Sequence, residues 1–75
     1  MTVHLNQRYK PTLTGLGLPT DADGVVRDQY FMRCYFHESV RFTKFERCVF
    51  CDCEGDQFIR LMSECRQINY ADAIR

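Results

Sequence analysis

Residues 29–58 read QYFMRCYFHESVRFTKFERCVFCDCEGDQF, and this stretch holds four of the five cysteines and all six phenylalanines of the chain. Its aromatic and β-branched residues favour extended backbone. Residues 25–36 (VVRDQYFMRCYF) and 40–50 (VRFTKFERCVF) lack Gly and Pro and flank the polar His37-Glu38-Ser39, so both are expected to be strand-like. A plain amphipathic strand alternates with period two. Here Phe31, Phe36, Phe45 and Phe50 instead recur at intervals of five or nine.

On either side of this centre the character changes. Residues 1–24 contain Pro11, Gly15, Gly17, Pro19 and the turn signal Asp21-Ala22-Asp23-Gly24, a spacing that leaves room for no helix or strand of ordinary length. They are expected to form an extended arm whose Leu13, Leu16 and Leu18 cross a core or a partner. After Asp56 the apolar residues are Phe58, Leu61, Met62, Cys65 and Ile68, one face of a helix. With Asp56 as N-cap and Asn69 as stop, the spacing predicts an amphipathic helix over 56–69. The expected whole is a small α+β domain of 75 residues, with arm 1–24, a β-rich centre over 25–55 (a short coil or a hairpin) and the helix as its lid. The alternative is a ββα arrangement of zinc-finger type.

A chain this short buries only about 60% of the surface it exposes when unfolded, so a staple is expected: a metal, disulfides or a second copy of the chain. Ten basic residues balance ten acidic ones, which argues against a global field that would steer the chain onto nucleic acid or an anionic membrane. No apolar run approaches the length of a membrane span and the N-terminus has no apolar signal region, so a cytoplasmic protein is expected. In a reducing compartment five cysteines are buried thiols or metal thiolates rather than a disulfide framework.

Set in fives, the centre places a small residue two positions before each aromatic: Cys34 before Phe36, Thr43 before Phe45 and Cys48 before Phe50, with Ser39 and Cys53 continuing the small positions. A narrow coil can house one large inward side chain per side only if its inward neighbour is small. In this the stretch resembles the pentapeptide-repeat family. The resemblance covers 29–58 and implies a right-handed four-sided β-helix, one five-residue unit per side. Three positions depart from the pattern: the step from Ser39 to Thr43 is four, Phe42 falls one place late, and Gly55 stands where the last aromatic should be.

The same residues contain Cys34-Tyr-Phe-His37 and Cys48-Val-Phe-Cys51, a C-x2-H…C-x2-C spacing whose four ligands would suit one structural zinc. Tyr-Phe and Val-Phe are poor knuckle residues, and Cys53 is left over. No cofactor is expected on the leading reading and one zinc on the alternative. His37 with Cys34 or Cys48 and Glu38 could supply the atoms of a thiol nucleophile, but so small a domain has little room for a water-excluding pocket, and no enzyme is expected. Arg33, Arg41, Lys44 and Arg47 precede Asp52, Glu54 and Asp56. The basic half, with Tyr30 and Tyr35 as stacking rings, could meet an acidic protein surface or phosphates. The sequence thus points to a small non-enzymatic protein that works by occupying a partner protein's surface, as accessory or inhibitory proteins of phages and mobile elements do. Homodimerisation, or a zinc module touching nucleic acid or protein, is the alternative.

Overall fold

The computed structural model describes residues 2–59 and 65–68. Short parallel strands stack into layers. In the first layer run β1 (Thr2–Leu5), β2 (Arg8–Tyr9), a loop, and β3 (Val25–Arg27). In the second run β4 (Gln29–Met32), β5 (Tyr35–Phe36), the 3-10 turn η1 (Glu38–Phe42) and β6 (Lys44–Glu46). The third begins with β7 (Val49–Cys51) and continues to the 3-10 turn η2 (Asp56–Phe58), after which β8 (Arg66–Ile68) returns to the first side. Three ladders join the layers. They are a four-stranded sheet in the order β1-β4-β7-β8, the pair β2-β5 extended by a bridge from Tyr35 to Glu54, and the pair β3-β6.

Among the described residues every strand pair is parallel, with Thr2 opposite Gln29, Tyr30 opposite Val49 and Val49 opposite Arg66. The chain therefore returns to the same ladder after 27, 19 and 17 residues. The long first return holds the loop 10–24, and the second is shortened where η1 stands in place of an extended side.

Corners between sides are made by single residues in the left-handed region: Asn6, Asp28, Arg33, Arg47 and Asp52, all with φ between 50° and 56°. Asn and Asp tolerate this conformation better than other side chains. Immediately after each corner comes Gln7, Gln29, Cys34, Cys48 or Cys53. Each of these side chains donates to the carbonyl two residues back: Gln7 to Leu5 at 3.1 Å, Gln29 to Arg27 at 2.8 Å, Cys34 to Met32 at 3.4 Å, Cys48 to Glu46 at 3.3 Å and Cys53 to Cys51 at 3.5 Å. The three thiols also reach a carbonyl of the preceding layer, those of His4, Val26 and Phe31.

Phe31, Phe36, Phe45 and Phe50 fill the centre and are essentially inaccessible to solvent. Phe31 stacks on Phe50 with centroids 5.4 Å apart, and both meet Phe36 edge-on at 5.2 and 5.6 Å. Tyr9 stacks on Phe36 and His4 on Phe31, so each column of rings begins in the first layer. Val26, Val40 and Ile59 complete the interior. Each ring buries area that only close neighbours can provide, and the mixed stacked and edge-on contacts fix one arrangement of the four.

Two expectations are corrected. The helix over 56–69, and with it the α+β and ββα descriptions, is replaced by a strand-rich fold. Asp56–Phe58 is one 3-10 turn whose N-cap is Gly55, Ile59 is extended, and Arg66–Ile68 is a strand paired with Val49–Cys51. Residues 60–64 and 69 of that expectation lie outside the described residues. A helix of about twelve residues is marginal in water, whereas β7 offers an open row of backbone donors and acceptors that another strand can satisfy. The expected arm is corrected as well: its residues 2–9 form β1 and β2, the first layer of the coil, because the edges of β4 and β5 give them partners that local turn signals do not reveal.

Candidate functional site

The residues expected to bind zinc lie apart. Cys34 and Cys48 occupy two different corners, each with its thiol turned to carbonyls. Cys51 is buried on the opposite strand face from Phe50. The Nδ1 atom of His37 accepts from the Ser39 amide. Among the described residues no three of His, Cys, Asp or Glu converge as metal ligands. Burial pushes the Cys48 thiol up to about 11 and the Cys53 thiol up to about 12, and burial likewise raises Cys34. These sulfurs stay protonated at neutral pH and act as hydrogen-bond donors; the nucleophile or ligand would be the thiolate.

Of the expected basic face, Lys44 and Arg47 come together on Glu46, at 3.2 and 3.8 Å, whereas Arg33 lines a separate recess and Arg41 packs on Phe42. Arg47 forms a two-pronged pair with Asp28 at 2.7 and 3.2 Å, one corner residue stacked on another. Lys44 pairs with Glu46 at 3.2 Å, and Glu46 also meets Arg27, which reaches on to Asp21 and Asp23. The Lys44 and Arg27 contacts hold the Glu46 carboxyl below the ordinary range. Arg27 does the same for Asp23, and Arg47 for Asp28. Much of the positive charge foreseen at 44 and 47 is thus engaged within the fold.

Tyr30 lies on β4 and contacts Cys51. Arg33 and Tyr35 share a recess of about 340 Å³ with Asn6, Gln7, Asp52 and Glu54. Into it comes Arg8, whose guanidinium sits 4.9 Å from the Tyr35 ring centre. The recess carries both signs of charge, two arginines against two carboxylates, and no net preference for an anion follows from it.

Arg41 leads to a different surface. Its guanidinium packs over the Phe42 ring at 5.0 Å, and Phe42 is 81% exposed. Four of the other phenylalanines are buried and Phe58 is half-buried, so Phe42 is the exception. The cause is the four-residue step: η1 tightens the chain between Ser39 and Thr43, Val40 takes the inward place, and Phe42 is turned out. In the loop of the first layer, the turn 12–15 is closed by paired backbone bonds between Thr12 and Gly15 at 2.9 and 3.2 Å and by the Thr12 hydroxyl. Leu13 at its tip is fully exposed. A recess of about 300 Å³ brings Thr14, Leu16, Leu18 and Thr20 against Thr43, so the neighbours of Leu13 and of Phe42 line one depression. Leu13 was legible as a residue that could meet a partner. Phe42 was legible only as a pattern fault, and that fault was the signal.

Among the described residues the molecule is a small strand-rich coil whose surface exposes Leu13 and Phe42, as well as Val3 and Leu5, with Arg41 packed on the Phe42 ring. No protein-family model matches the chain, and neither does any curated protein or solved structure. Among the described residues no helix is long and apolar enough to cross a membrane.

Proposed function

We propose that the chain is a binding protein that docks on another protein through the face carrying Leu13, Arg41 and Phe42. The observation that supports this most is Phe42, left exposed in a chain whose other described apolar aromatics are drawn into the core. Exposing a phenylalanine forgoes roughly 2 kcal/mol of burial, and interface energies concentrate in such anchors and in arginine. The Arg41 guanidinium against the ring favours a partner whose apolar cleft is rimmed by carboxylates. The layered coil also supports reading the chain as pentapeptide-repeat-like, with the rigid interior serving as a platform for the face.

The test is capture from a host lysate by the full chain, by Leu13→Ala/Phe42→Ala and by Arg41→Glu. Both variants should keep the urea midpoint of the parent, because Leu13, Arg41 and Phe42 are all exposed. Both should lose one specific captured protein at least tenfold. Capture of the same proteins by all three chains, or of nucleic acid alone, would sink the reading.

A further inference from the structure

His37 occupies the N-cap of η1, the turn that displays Arg41 and Phe42. Its backbone is extended (φ −68°, ψ 153°) and its Nδ1 accepts from the Ser39 amide at 3.1 Å while meeting the Ser39 hydroxyl at 2.9 Å. An imidazole accepts at Nδ1 only when that nitrogen carries no proton. The cap therefore exists in the neutral ring alone. Histidine is half-exposed here, so protons reach it. The rest of the turn depends on few bonds: Val40 donates to the His37 carbonyl at 3.0 Å and Thr43 to that of Val40 at 2.9 Å.

We propose that His37 is a pH-sensitive latch on η1, holding the turn that displays Phe42 when neutral and releasing it when protonated. What the latch regulates rests on the docking reading above; the latch itself does not. Several charged or titratable groups are carried by the elements around it. Glu38 and Arg41 are on η1 itself and Asp56 is on η2, which packs against η1. Glu54 bonds to β5, while the His37 amide donates to the carbonyl of Tyr9, which Lys10 follows in the chain. Tyr9, pushed up to about 12 chiefly by burial, stays neutral throughout the range concerned. Asp56 is raised by burial and is the group whose own titration needs a control.

Amide exchange of the full chain, read by NMR as protection factors at pH 8 and pH 5, tests the latch. The Ser39 protection factor should fall about fivefold at pH 5, the ratio given by loss of one N-cap bond of ordinary strength. That of Phe36, bonded to the Glu54 carbonyl in the coil wall, should hold. His37→Asn, whose side-chain oxygen accepts at either pH, should abolish the fall; His4→Gln and Asp56→Asn should retain it. An unchanged Ser39 in the parent chain, a fall persisting in His37→Asn, or its disappearance in Asp56→Asn each overturns the proposal. Failure of capture by the Leu13 and Phe42 variants to differ from the parent would remove the docking reading and leave the exchange result standing.

Discussion

Gly55 shows how much one residue can decide. Its φ of 81° lies in the left-handed region, and a Cβ built there would overlap the Phe36 carbonyl oxygen of the layer above. The position that breaks the small-then-aromatic pattern is the one where only hydrogen fits. Gly55→Ala should therefore cost about 2 kcal/mol or more, since steric overlap adds to the strained dihedral. A urea midpoint that moves by less than the scatter between preparations would contradict this. The cysteines teach the same lesson in chemistry. Their crowding looked like metal ligation, yet each corner thiol is spent on backbone carbonyls. Sequence spacing could not separate the two uses, because the direction in which a sulfur points is set by the corner that precedes it.

At the scale of elements, the corner is the repeating unit: a left-handed residue, then a side-chain donor to the carbonyl two back. In the inner layers such carbonyls already receive an amide from the layer before, as Met32 does from Asn6 and Glu46 from Asp28. After the corners Asn6 and Asp28, Gln7 and Gln29 stand where cysteines stand further on, and their longer amides donate to the Leu5 and Arg27 carbonyls of the first layer. Gln29 also takes a 2.7 Å bond with His4, tying the cap to the first ring of the column. Replacing both glutamines by Ala should destabilise the chain by about 1–2 kcal/mol in all, the sum for two ordinary hydrogen bonds. Denaturant titration should show Gln29→Ala as the larger part, since Gln7 is exposed. Two glutamines after Asn6 and Asp28 were visible in the sequence, but without a repeat to align them to they carried no message.

For the whole molecule, the interior is a stack of rings and thiols, and its groups respond to alkali together. Burial is the first cause of the raised values of Cys48 (about 11), Cys53 (about 12) and Tyr9 (about 12). All three are neutral acids held protonated in the folded state above their ordinary values near 9 and 10. The stability they contribute is complete below pH 9, where folded and unfolded chains bind the same protons. It is lost as pH rises through 9 to 12, because the unfolded chain releases protons that the folded chain keeps. The urea midpoint should be flat from pH 7 to 9 and fall steadily above it. A midpoint that rises or stays level to pH 11 would contradict the packing described. In the same range the reaction of Cys48 with a thiol reagent should track global unfolding.

The residue types by themselves pointed to extended backbone over 25–36 and 40–50, which holds except at the corners and at 40–42 in η1, and to Phe31, Phe36, Phe45 and Phe50 counting as much as the cysteines, since aromatic and β-branched side chains favour the pleated backbone. They also marked Ser39–Thr43 and Gly55 as breaks. Tertiary structure alone decided what those breaks are for, and it decided the fate of both ends of the described chain. Thr2–Leu5, Arg8–Tyr9 and Arg66–Ile68 are strands because β4, β5 and β7 present backbone edges beside them, and a hydrogen-bonding partner 17 to 27 residues away leaves no trace in local periodicity. The exposed Phe42 has the same origin: a five-residue turn inside a coil of fixed girth leaves room for one inward side chain, and Val40 takes it.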